Sequence, residues 1–228
     1  MTPFNRDASI APGMRNIPVK HDANDIFVGG GEMAALMRSL DWDQTALGRV
    51  RDWPTSLKTT VGVVLNNRFP MMVWWGPKFT QLYNDSYRPV LGDKHPASMG
   101  QSGPVVWREI WHIIGPMAEG VYAGGPATWS EHLLLPMNRK GFTEETYFTF
   151  SYSAVPGDDG GVGGVLVTCQ ETTEQVQDER QLRMLRDLAA RSADAKTADA
   201  ACQSALKILA QNDADIPFAL LYVASEDG

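Results

Sequence analysis

The stretch from Thr146 to Gln170 limits the fold of this chain more than any other. Phe148, Phe150 and Tyr152 alternate with Thr149, Ser151 and Ser153, the two-residue period of a strand with one apolar and one polar face. Pro156-Gly157-Asp158-Asp159-Gly160-Gly161 then concentrates turn-forming residues, and Val162 to Gln170 reads as the returning strand. The glycines around Val162 precede a strand and no helix. They read as part of the hairpin turn and not as a phosphate cradle, which needs a helix N-terminus.

Upstream, Met33, Leu36, Met37 and Leu40 recur at helical spacing, as do Leu57, Val61, Val64 and Leu65 after Pro54. Pro70 to Gly76 and Phe79 to Asn84 read as two strands joined by a turn at Gly76-Pro77. Asp85 is placed to cap a short helix ending near Leu91. Val105 to Ile114 reads as a helix that Gly115-Pro116 breaks, with a second short helix from Met117 to Ala123. Thr128 to Asn138 is strand-like, and Arg139-Lys140-Gly141 reads as a turn. Two strands, several short helices and three further strands make an antiparallel α+β sheet. The absence of βαβ alternation argues against a doubly wound or barrel architecture.

From Glu174 to Gln211 the chain is polar, rich in alanine and free of Gly and Pro. Leu182, Leu185 and Leu188 form a narrow stripe suited to helix pairing. Phe218 to Val223 reads as one lone strand, so the chain is expected to end inside a second domain. The net charge of -7 argues against a broad nucleic-acid or anionic-membrane surface. Cys169 and Cys202 form no metal or redox spacing and read as reduced thiols. No apolar run approaches the length of a membrane span, and the polar start has no signal-peptide character, so a cytoplasmic protein is expected.

Trp53-Pro54, Pro70-Met71-Met72, Trp74-Trp75-Gly76, Leu82-Tyr83-Asn84-Asp85, Leu91-Gly92, Lys94-His95-Pro96 and Phe148 to Ser153, in that order, resemble the N-terminal PAS segment of bacterial sensor kinases. Asp215 to Tyr222 is similar to the first strand of the GAF domain that often follows. The resemblance implies a PAS fold: α+β, a five-stranded antiparallel sheet with short helices on one face, an N-terminal helical flank and a C-terminal signalling helix. It divides the chain into a disordered lead-in (1–29), a helical flank (30–69), a PAS domain (70–173), a signalling or coiled-coil helix (174–196) and the beginning of a GAF domain (197–228). The implied function is a sensory and dimerisation module, passing a ligand or partner signal through its last helix to an output domain such as a histidine kinase. Glu171, Thr172 and Thr173 stand where such domains carry the signal-relay junction, and Leu182, Leu185 and Leu188 are the expected dimer contacts.

Met72, Trp74, Tyr83, Asn84, Tyr87, Trp107, Trp111, His112, Met117, Phe148 and Phe150 are the candidate ligand pocket, since flat apolar walls with a few polar tips suit a small molecule. The same aromatics could instead fill the core, which is their commoner use. Asn84 reads equally as a turn or cap residue. A haem or flavin cofactor is the alternative, with His112 the best-placed iron ligand and His95 the second. His21 falls in the lead-in and His132 in a strand. No cysteine occupies the helical region where a flavin-reactive PAS domain carries one. Glu144 and Glu145 read as surface or loop residues and not as a catalytic pair. With no nucleophile elbow, Walker motif or metal spacing, the chain is expected not to be an enzyme. A ligand-free interaction domain is the remaining alternative.

Overall fold

The computed structural model of the protein describes residues 26–29 and 31–222. The expected lead-in lies outside the described residues except at its end. There Phe27 is buried against Trp42 and Trp53, with ring centroids 6.1 and 5.8 Å away. The lead-in therefore stops short of residue 29, because an aromatic ring at position 27 completes the core of the flank.

In chain order the elements are α1 (Glu32–Ser39), α2 (Thr55–Leu65), β1 (Met71–Trp75), β2 (Thr80–Tyr83), α3 (Arg88–Leu91), α4 (Gly103–Val106) and α5 (Trp111–Tyr122). Then come β3 (Thr128–Leu134), β4 (Met137–Asn138), β5 (Thr143–Glu144), β6 (Tyr147–Pro156), β7 (Val162–Glu171), α6 (Thr173–Asp194) and α7 (Ala198–Ala210). Five strands form one antiparallel sheet in the order β2-β1-β7-β6-β3, while β4 and β5 pair separately. This is the α+β class that the resemblance implies. The last strand lies between β1 and β6, so α6 starts from the middle of the sheet.

Register brings Tyr83, Met72, Val167, Tyr152 and Thr128 into one row across the sheet. Alternation puts Trp74 on the same face, which α5 covers, and puts Val73 and Trp75 on the other. All five residues of β1 are buried, so both faces of that strand are covered. The second cover is the N-terminal flank: α2 packs on β1 and β2 through Leu57, Val61 and Val64. Asp158, in the β6–β7 turn, accepts hydrogen bonds from the backbone N–H groups of Thr55 (2.7 Å) and Ser56 (3.0 Å) and so caps α2 from the sheet.

Several local expectations change for identifiable reasons. Gly115-Pro116 does not break the helix. Pro116 sits in the second turn of α5, where one missing donor costs one hydrogen bond. Gly115 makes room for Trp111, whose indole a Cβ there would meet at 2.6 Å. Gly163 and Gly164 belong to β7 and not to the turn, and the Trp75 ring lies over them. Asp85 caps α1, accepting from Met33 N at 3.2 Å, and Asn84 caps the turn that follows β2. The polar stretch after β7 is two helices. Thr197 caps α7 by accepting from Ala200 N, and α7 folds back along α6. On α6, Val176, Arg180, Met184 and Leu188 are half-buried at four-residue spacing, whereas Leu182 and Leu185 are 52% and 56% exposed. The expected leucine stripe is therefore divided between two faces. Phe218 to Tyr222 form no strand, and among the described residues no strand pairs with them; Val223, the last residue of the expected strand, lies outside the described residues.

Candidate functional site

The sheet and its inner helices enclose a chamber lined by Trp74, Tyr87, Trp107, Phe148 and Phe150 from the candidate set, together with Tyr152, Cys169 and smaller apolar side chains. Its free volume is about 30 Å³. A water needs roughly 10–15 Å³ by that measure, and small-molecule pockets run to about 300–1,000 Å³. The aromatics fill the space. They interlock edge to face, with Trp74 5.4 Å from Tyr152 and 5.6 Å from Trp111 by ring centroid.

Gln81, which the sequence reading missed, organises this wall. It is fully buried on β2, paired in register with Trp74. Its Oε1 accepts from Trp107 Nε1 at 3.0 Å and Trp74 Nε1 at 3.4 Å, and its Nε2 donates to Ser98 O at 3.0 Å. The only sequence signal was a polar residue at an inward position of a strand. Burial pushes Tyr87 and Tyr152 well above the usual phenol range. Burial also pushes the Cys169 thiol up to about 12, against the opposing pull of the neighbouring Tyr87 hydroxyl. All three groups are neutral at pH 7.

The other candidates lie elsewhere. Met72 is buried in the sheet but does not line the chamber. The Tyr83 hydroxyl is spent on His95 Nδ1 (2.9 Å) and Ser98 Oγ (3.1 Å). The Asn84 side chain accepts from Met71 N and Tyr87 N and donates to Asn67 O and Phe69 O, so it is a saturated cap and not a ligand contact. Trp111 packs against Trp74 and Phe79 outside the chamber. Met117 accepts a long bond from Ser130 Oγ, and His112 is exposed on α5. Neither haem nor flavin fits: the chamber is too small by about an order of magnitude, His112 does not face it, and the Cys169 thiol stays protonated.

A second constellation joins the end of β7 to its surroundings. Glu171 receives two parallel hydrogen bonds from Arg139, Nη1 to Oε2 at 2.7 Å and Nη2 to Oε1 at 2.8 Å. Arg139 also donates to Glu144 Oε1 (3.2 Å) and to Pro89 O (3.3 Å), and only 7% of its side chain is exposed. Gly92, with φ of 55°, brings the chain against the Arg139 carbonyl, which accepts from Asp93 N at 2.8 Å; a Cβ at Gly92 would come within 2.4 Å of it. One buried guanidinium thus connects α3, the β4–β5 turn and the end of β7. Burial alone would raise the Glu171 carboxyl, but the Arg139 bonds outweigh it and hold it below the usual range. Arg139 was read only as part of a turn, and nothing in a single sequence marks it as buried.

Thr172 and Thr173 complete the junction. Thr172 N donates to Tyr147 O (2.8 Å), Thr172 Oγ1 bonds His132 Nδ1 (3.0 Å), and Val176 N donates to Thr172 O (3.0 Å). Thr173 Oγ1 donates to Glu171 Oε1 and accepts from Tyr147 N, both at 3.0 Å. His132 sits at the bulge in β3, with φ of 48°. Two turns along α6, Arg180 bonds Glu145 at 2.8 Å and Asp215 at 2.5 Å, pinning the helix to both the β5–β6 connection and the segment after α7. Glu144 and Glu145 are therefore anchors of two ion-pair networks and not free surface carboxylates. The Arg180 bonds hold the Glu145 carboxyl below its usual range.

Among the described residues no helix is long and apolar enough to cross a membrane. No family model matches the chain, and neither does any curated protein. Among solved structures, the chain is similar to an RNA-binding light-oxygen-voltage receptor at 19% identity, covering 60% of this chain and 39% of that one with a TM-score of 0.43. It is also similar to the PAS domain of Bordetella pertussis BvgS, at 18% identity over 57% of this chain and 96% of that one, TM-score 0.41. A third similarity is to a Rhodobacter sphaeroides LOV protein, at 14% identity over 72% of this chain and 98% of that one, TM-score 0.43.

Proposed function

We propose that this chain is a PAS-type sensory and dimerisation module of a cytoplasmic signalling protein, and that it relays a change in the sheet to α6 without catalysing a reaction. The observation that carries the reading is the Arg139 junction. A bidentate ion pair with a buried guanidinium ties the last residue of β7, two residues before the exit helix, to the helical cap and to the β4–β5 turn. Such a pair contributes little net stability over an apolar substitute, yet breaking it is costly, so it suits positional specificity. The filled chamber supports a role as a stiff coupler, since close-packed interiors transmit displacement. Leu182 and Leu185 form the exposed face through which two copies pair, and the output is a kinase-type domain reached through a GAF domain.

The test uses the full-length parent. Thr172→Ala removes the bond to His132 and leaves the chamber intact; it should change basal output with the fold unchanged by circular dichroism. Unaltered output from both Thr172→Ala and Glu171→Gln would sink the relay reading.

A further inference from the structure

With the inner chamber filled, a larger space lies on the opposite side of the sheet. A pocket of about 340 Å³ opens between the N-terminal flank and the outer face of β1 and β2, with Leu47, Trp53, Leu57, Trp75 and Thr80 among its walls and the exposed Lys78 beside them. That volume falls in the range of small-molecule sites, about 300–1,000 Å³.

The walls are fixed before anything enters. The Trp75 ring rests on Gly163 and Gly164, where an added Cβ would come within 2.6 Å of the ring. Trp53 is held by its bond to Gly48 O (2.9 Å) and by an edge contact with Trp42 at 4.9 Å. A preformed slot of this kind spares a ligand the cost of ordering it.

The polar groups in the slot lack partners of one kind. Among tryptophans less than a tenth exposed, Trp42, Trp53, Trp74 and Trp107 each donate to a protein acceptor. Trp75 is 8% exposed; no described residue accepts from its Nε1, which is open to solvent. Thr80 is 2% exposed; its hydroxyl makes no hydrogen bond among the described residues and is likewise open to solvent. Lys78 is the one charged residue of the lining, and it pairs with no described carboxylate. An apolar slot with an indole N–H, a hydroxyl and an ammonium calls for an acceptor carrying negative charge.

We propose that this outer pocket binds a small aromatic carboxylate, its ring between Trp53 and Trp75 and its carboxylate toward Trp75 Nε1, Thr80 Oγ1 and Lys78. The site stands independently of the relay reading, because its walls belong to the flank and the outer sheet face and not to the Arg139 junction.

The test is isothermal titration of the whole chain with 2-naphthoate and with its uncharged counterpart, 2-naphthalenemethanol. Naphthoate should bind the more tightly. Lys78→Gln should weaken naphthoate about three- to fivefold, the scale of an exposed ion pair, and leave the alcohol unchanged. Ala46→Trp fills the slot from an exposed position and should abolish binding of both compounds at unchanged melting temperature. Pro77→Trp, from the opposite side, should do the same and covers the case where the first variant disturbs the flank. Absence of naphthoate binding at millimolar concentration overturns the proposal, as does binding that survives both filling variants.

Discussion

Replacing Arg139 by Met keeps length and apolar bulk while removing the guanidinium. Four hydrogen bonds are lost, two to Glu171, one to Glu144 and one to Pro89 O. The carboxylates left behind differ. Glu144 is 12% exposed and keeps Lys140 at 3.1 Å, whereas Glu171 is 31% exposed and keeps only the Thr173 hydroxyl. Breaking a fully buried pair costs about 3–5 kcal/mol; partial exposure of Glu171 places the expected loss near the lower end, about 3 kcal/mol. The Glu171 carboxyl is held below the usual carboxylate range in the folded chain, the Arg139 bonds outweighing burial. Its contribution is thus present above the unfolded value and is lost as pH falls through the folded one. Urea unfolding followed by tryptophan fluorescence should show the full loss at pH 7 and a smaller difference between wild type and variant below pH 4. The double variant Arg139→Met/Glu171→Met should recover much of the loss, since an apolar pair of similar volume replaces the ionic one. A single-variant loss below about 1 kcal/mol, the value of a surface pair, or a difference that does not shrink in acid, would refute the reasoning.

Gln81→Leu strands the indole N–H groups of Trp74 and Trp107 in a dry core and should cost about 2–4 kcal/mol, read as a lower urea midpoint at unchanged slope. Cys202 is half-buried and should react with a disulfide reagent in the native chain; Cys169, its thiol pushed up to about 12 by burial, should react only on unfolding. Equal rates for the two thiols would mean that the chamber is open. Leu185→Glu should convert a dimer to a monomer in sedimentation velocity with the circular-dichroism spectrum unchanged; an unchanged dimer places the interface elsewhere.

The sheet was legible where its period was strict. Phe148, Phe150 and Tyr152 announce an inner face because every second residue on β6 is apolar, and the Pro156–Gly161 turn sets the hairpin. The helices of the flank were equally plain from spacing, but not the face of the sheet that they cover, since that depends on the packing of α2 on β1 and β2, which no local pattern encodes. Glycines misled twice. Gly115 reads as a breaker and Gly163-Gly164 as part of the hairpin turn, whereas each makes room for a tryptophan ring. At the candidate site, the aromatics were found because bulk and apolarity predict burial. Gln81 and Arg139 were not, because a buried polar residue is recognisable only through its partners, and those lie 17 and 32 residues away at Ser98 and Glu171.

The account rests on the claim that the Arg139 junction couples the sheet to the exit helix. Amide hydrogen exchange compares the wild-type chain with Glu171→Gln, a change that keeps the side-chain shape and an acceptor. The account expects faster exchange confined to Asp93 and Thr172 to Val176, with the amides of β1 and the middle of β7 unchanged. Exchange that is unaltered at Thr172 to Val176, or accelerated uniformly through the sheet, would contradict it.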